Sequence, residues 1–191
     1  MSKYFSFNQL LKIIKNHAVM SLFLFLFGML ISPAIIAIKV GNVIFSIVAT
    51  TLYLISMYKV SCEISMHDKK SYSDEHPYAL KGAVFGICMF VVTAILYALY
   101  YVAWKYITVD GILLTATAII DNVMFVIWTY PFNAFIGLSK GVMTWYGYVI
   151  VILLPFAGCF LGYLAGYFDF DLSNKIWDFI HEKPETEENE K

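Results

Sequence analysis

From Ala18 to Ile38 the chain carries no charged residue. At 1.5 Å per residue a helix over that stretch reaches ~31 Å, the thickness of the ~30 Å hydrocarbon layer of a bilayer. Four more apolar stretches follow, at residues 43–58, 82–104, 112–138 and 146–168, and together the five take up most of the 191 residues. Hydrophobic residues make up 60% of the chain and charged residues 14%, against about half and about a quarter in a soluble domain. A soluble core of this size has no room for the excess. The expected fold is therefore all-α, a polytopic transmembrane helical bundle of about five spans, with short amphipathic interfacial helices at both ends.

Residues 1–168 read as a single transmembrane bundle, 169–183 as an amphipathic juxtamembrane helix, and 184–191 as a disordered acidic tail. At the start, Ser6 and Gln9 have capping-box spacing, with Phe5 and Leu10 placed as a hydrophobic staple. Phe7, Leu10, Leu11 and Ile14 share one face, so residues 6–16 are expected to lie along the membrane surface and feed the first span. Pro33 is expected to kink that span near its far end. The stretch Lys59 to Lys81 reads as a long polar loop, with Pro77 in the first turn of the next helix. Tyr97, Tyr100, Tyr101, Trp104 and Tyr106 have the character of an interfacial aromatic belt.

Lysine placement gives an orientation. With the N-terminus cytoplasmic, Lys3, Lys12, Lys15, Lys59, Lys69, Lys70, Lys81 and Lys140 lie inside, against Lys39 and Lys105 outside, as the positive-inside rule requires. Five crossings then place the tail outside. If residues 112–138 dip in and return, four crossings remain and the tail is cytoplasmic. All 13 basic residues are Lys, which disfavours bidentate recognition of polyanions. With a formal net charge of -1, no nucleic-acid partner is expected. The Lys, Ile, Phe and Tyr bias suggests AT-rich coding and a bacterial inner membrane. Cys62, Cys88 and Cys159 lack ligand spacing and read as small apolar residues, with a Cys88–Cys159 bridge open only if their helices touch.

Gly158, Gly162 and Gly166 form two overlapping GxxxG units, and Gly82 and Gly86 repeat the spacing once in span three. Such stripes let helix backbones approach closely. They serve either packing within the chain, with span three against span five, or an interface with another membrane protein or a second copy. Asp121, with Asn122 beside it and Pro131 beyond, has two readings. One is the N-cap of a helix starting at Val123; the other is an ion or proton pathway at a broken helix, because an intramembrane carboxylate marks a site by default.

His67, Asp68, Asp74, Glu75 and His76 have the residue types of a metal or acid–base site but fit no ligand framework. HExxH, GxSxG and P-loop signatures are missing. The expectation is a non-enzymatic structural or accessory subunit of a membrane transport or export complex, without cofactor or metal. A small self-contained transporter or channel is the alternative, and a membrane enzyme using the His67–His76 loop is a third reading.

Overall fold

The computed structural model describes residues 6–36, 41–71, 73, 75–107, 123–132, 135 and 144–170. The described residues form four long helices, α1 (Phe7–Ile36), α2 (Gly41–Asp68), α3 (Lys81–Ile107) and α5 (Trp145–Tyr167), and one short helix, α4 (Val123–Phe132). The four long helices are each long and apolar enough to cross a membrane. The chain is a multi-pass helical membrane protein. Its polarity is arranged accordingly: Val19, Leu22, Phe23, Leu26, Met29 and Leu30 of α1 are all exposed, as they are when the surroundings are hydrocarbon, while His17 and Ser21 of the same helix are buried.

Two boundaries differ from the sequence reading. Residues 6–16 do not turn along a surface but continue into α1 without a break. Helix formation starts at the expected place, with the Leu10 amide donating to the Ser6 carbonyl (3.2 Å). Gln9, however, reaches across to Asp68 instead of closing a capping box; Phe5, the staple residue, lies outside the described residues. Likewise α2 does not stop at Tyr58 but runs to Asp68. Its last turns bury Ser61, Cys62, Ile64, Ser65 and Asp68, one helical face, so packing favours helix over a solvated loop. Pro77 precedes α3 by a turn, in which the Lys81 amide donates to the Tyr78 carbonyl.

The neighbours of α5 fix the topology. Gly158, Gly162 and Gly166 lie on Met57, Tyr58 and Cys62 of α2 in ascending order, so α5 and α2 run parallel. Gly82 and Gly86 of α3 meet Tyr163 and Phe156 of α5, so α3 and α5 run antiparallel. Hence the start of α1, the end of α2, the start of α3 and the end of α5 share one end of the bundle, the proximal end. Lys69 Nζ donates to the Tyr167 carbonyl (2.9 Å) and pairs with Asp169 (2.6 Å) there.

The connection from α3 to α5 accordingly leaves and rejoins the distal end. The end of α5 thus lies at the same end of the bundle as the start of α1; of residues 112–138, read as a crossing, the structure describes 123–132 and 135, and the rest lie outside the described residues. The described part, α4, packs Phe125 against Tyr100 and Tyr97 and Trp128 against His17. It ends in a 3-10 turn, Tyr130–Phe132. At about 1.5 Å per residue α4 covers only half of a bilayer core.

α5 closes with Phe170 donating to the Ala165 carbonyl (2.8 Å) and Asp169 to that of Gly166 (3.3 Å). That pairing is a Schellman cap, with Asp169 at φ 55°. Glycine is the usual residue there, but Asp tolerates the left-handed conformation and here adds the carboxylate that holds Lys69. The expected amphipathic helix at 169–183 and the tail at 184–191 lie outside the described residues, apart from Asp169 and Phe170.

Candidate functional site

At the proximal end one carboxylate collects bonds from every long helix. Asp68, the last residue of α2, accepts from Lys81 Nζ at the start of α3 (2.8 Å) and from the Tyr163 hydroxyl of α5 (2.8 Å), both at Oδ2. Its other oxygen accepts from Gln9 Nε2 of α1 (2.5 Å). The Asp68 and Lys81 side chains are both 0% exposed. Glu75, in the connection between α2 and α3, lies 3.6 Å from the same Lys81 ammonium. A buried ion pair must be well hydrogen-bonded to offset its desolvation, and one left with a single charge loses about 3–5 kcal/mol. Here the carboxylate has three donors and the ammonium two carboxylates, so both charges are compensated.

A second polar centre lies deeper. In the 3-10 turn that ends α4, Pro131 has no amide hydrogen to give to the carbonyl of Trp128 three residues earlier, which leaves that carbonyl available to other donors. His17 Nε2 (3.1 Å) and Ser21 Oγ (3.3 Å), both from α1, donate to it. Because the carbonyl can only accept, His17 carries its proton on Nε2, and its Nδ1 accepts from the Tyr53 hydroxyl of α2 (2.7 Å). Trp128 Nε1 donates to Thr93 Oγ1 of α3 (3.0 Å), and Thr50 Oγ1 of α2 donates to the Pro131 carbonyl (2.6 Å). Irregular backbone at membrane depth persists only when its polar groups find partners inside the protein. Side chains from α1 and α2 supply them here.

These centres lie on one line of α2. Ser46, Thr50, Tyr53, Ser61, Ser65 and Asp68 are all buried and follow helical spacing, with buried Met57 between them. Opposite this line runs the glycine stripe of α5. A Cβ added at Gly166 would come within 2.5 Å of the Cys62 carbonyl oxygen, and one at Gly162 would collide with the Tyr58 backbone. On α3, a Cβ at Gly82 would lie 2.6 Å from Tyr163 Cβ and 2.8 Å from the Cys159 carbonyl oxygen, and one at Gly86 3.0 Å from Phe156 Cα. Within this chain, then, the stripe faces α2, and Gly82 and Gly86 face a different side of α5. Span three does pack on span five, through its own glycines.

Of the pathway residues read from sequence, Asp121 and Asn122 lie outside the described residues, as does Asp74 of the polar loop. Pro131 is buried in the 3-10 turn. Asp68 and Glu75 meet at Lys81 rather than at a common metal or acid–base site, and His67 and Glu75 both line an open pocket with Gln9 and Lys12. Among the described residues no three His, Cys, Asp or Glu side chains are grouped to hold a metal ion. The three cysteines are free thiols, Cys62 and Cys159 buried. Two of the belt residues turn inward, since Tyr100 stacks on Phe125 and Tyr97 bonds Tyr148; Trp104 and Tyr106 lie beyond the residues whose side chains are described.

Of the residues that build both centres, Gln9 stood in the sequence only as a capping-box residue, and His17, Tyr53, Lys81 and Tyr163 carry no motif. For Tyr53 and Asp68 the one signal in the sequence is the helical phase of polar residues continuing from Ser46 through Asp68, across the point where charge begins. No protein family, curated protein or solved structure matches this chain.

Proposed function

We propose that this protein is a non-enzymatic structural or accessory subunit of a larger membrane assembly, of the transport or export kind. The observation that supports this reading best is how the interior groups are used. Asp68, Lys81, Gln9 and Tyr163 bond one another across four helices, and the glycine faces of α3 and α5 are covered by helices of the same chain. The outward faces of its helices carry apolar side chains such as Leu26, Ile55, Ile95 and Leu153. The test is native mass spectrometry of the protein extracted gently from its own membranes. Unrelated subunits in a fixed ratio support the reading; a lone species or a closed homo-oligomer removes it.

A second reading, a self-contained transporter, draws on the buried polar line of α2 and on His17, because ionisable residues inside membrane spans commonly belong to ion or proton relays. It places the pathway along Tyr53, His17 and Asp68, with Asp121 and Asn122 as further members. In reconstituted vesicles His17→Gln and Asp121→Asn should then abolish flux while leaving folding intact. Unchanged flux in both variants removes this reading.

A further inference from the structure

Lys12 Nζ and Glu63 Oε2 meet across the seam between α1 and α2 (3.4 Å), and this pair marks the outer faces that border it. Lys15 lies three residues after Lys12 and Lys59 four residues before Glu63, so each falls on the same face of its helix as the paired residue. Both lysines are exposed, and among the described residues neither forms an ion pair or a hydrogen bond. Between them Asn16 and Ser56 bond each other (3.1 and 3.2 Å) and close the floor of the groove. We propose that this groove binds the phosphate of an anionic phospholipid, with Lys15 and Lys59 as its two cationic contacts.

Height and charge point to that ligand. At 1.5 Å per residue Lys15 stands about 12 Å from the start of α1 and Lys59 about 14 Å from the end of α2, and both of those helix ends lie at the proximal end. Farther along, the large exposed side chains are apolar, Val19, Leu22 and Phe23 on α1 and Ile55, Leu52 and Val48 on α2. No Asp, Glu, Lys or Arg occurs at 16–36 or 41–58. The two ammonium groups are therefore the last charges before hydrocarbon, at the level of lipid phosphates, which long Lys stems reach readily. Lys12, Lys15 and Lys59 border the groove with a single carboxylate, Glu63, and Lys12 already engages it. An anionic headgroup compensates the remaining charge, whereas the ammonium of a zwitterionic headgroup meets like charge there. Lysine holds a phosphate as a point charge, without the arginine fork. Acyl chains of the same molecule cover the apolar faces beyond, so the source of the phosphate is the lipid and not the free ion. The site does not depend on whether the chain acts alone or within an assembly.

The test uses the full chain, purified and delipidated, with phosphatidylglycerol, phosphatidylethanolamine and phosphatidylcholine of identical acyl chains titrated in native mass spectrometry. Phosphatidylglycerol should be retained over both zwitterionic lipids. Lys15→Gln and Lys59→Gln should each lower that preference about fivefold, the effect of one basic residue near an anionic membrane surface, without moving the thermal midpoint. Replacing both by Arg should keep the preference. Glu63→Gln, at an exposed position, should raise it, and this variant carries the test if the glutamine variants fail to fold. Equal retention of the three lipids, an unchanged preference in the Lys15→Gln, Lys59→Gln double variant, or a loss of the same size in Lys70→Gln would overturn the proposal. The last result would mean general attraction to the proximal end. Free glycerol phosphate separates the two sources of this chemistry: resistance to it supports the intact lipid, and displacement of phosphatidylglycerol at equal concentration overturns that assignment.

Discussion

Lys81 Nζ lies 2.8 Å from Asp68 Oδ2, and neither side chain is exposed. The pair joins the last residue of α2 to the first of α3, across a connection that contributes a second carboxylate, Glu75. Tyr163 and Gln9 bring α5 and α1 to the same carboxylate. The proximal end of the bundle is therefore held at one point by groups that are each weak structural signals alone.

Removing one charge of this pair should be far worse than removing both. Lys81→Met leaves a buried, uncompensated carboxylate and is expected to lower stability by about 3–5 kcal/mol. The double variant Lys81→Met with Asp68→Asn should recover most of that loss, since the amide that replaces the carboxylate is neutral and its carbonyl oxygen still accepts a hydrogen bond from a neighbour. Unfolding of both variants by denaturing detergent titration gives the comparison. Equal losses would show that the charges act separately.

The glycines of α5 should differ in their tolerance of alanine. Alanine gains about 0.5–1 kcal/mol over glycine within a helix, whereas an extra methyl in a filled interior costs typically 1–3 kcal/mol. At Gly162 the methyl meets the backbone of Tyr58, which cannot move aside; at Gly158 it meets Met57 Cβ at 3.0 Å. Gly162→Ala should destabilise, and Gly158→Ala should be nearly neutral. Thermal midpoints in detergent rank the two.

His17→Phe removes the acceptor for the Tyr53 hydroxyl, stranding that buried group, and leaves the Trp128 carbonyl with only the longer bond from Ser21 Oγ. Each stranded group costs about 1–3 kcal/mol. Tyr53→Phe strands only His17 Nδ1 and should be milder, and the double variant should fall short of the sum of the two. A double-mutant cycle measures this coupling; strict additivity would mean that the bond contributes nothing.

Thiol labelling tests the packing directly. Cys62 and Cys159 are buried free thiols, and a maleimide needs an accessible thiolate. In native membranes both should resist labelling and both should react once denaturing detergent opens the bundle. Rapid labelling of Cys159 in the membrane would contradict the α2, α3 and α5 packing described above.

The fold class and four of the apolar stretches, those that fall on the long helices, were readable from residue order, because a chain with runs such as Gly82 to Trp104 and Tyr146 to Phe168 has only helices available in lipid. The glycine spacing likewise announced close helix contacts, though not which face meets which helix. The boundaries that moved are those where polar residues lie on a buried face. The apolar face of Phe7, Leu10, Leu11 and Ile14, with Lys12 and Lys15 off it, made the start of α1 look like a surface turn, and Lys59 through Asp68 made the end of α2 look like a loop. Hydropathy sums over a window and cannot tell a polar side chain facing water from one facing a partner.

Sequence by itself determined that this chain is a helical membrane bundle, since no soluble core accommodates that much apolar surface. Only the tertiary structure decided how the long helices pair and how the proximal cluster forms. The parallel run of α5 along α2 brings the end of α5 back beside the start of α1. The cluster joins Gln9, Asp68, Lys81 and Tyr163, residues separated by up to most of the chain. Their pairing depends on which helix faces meet, a property of packing that no local spacing encodes.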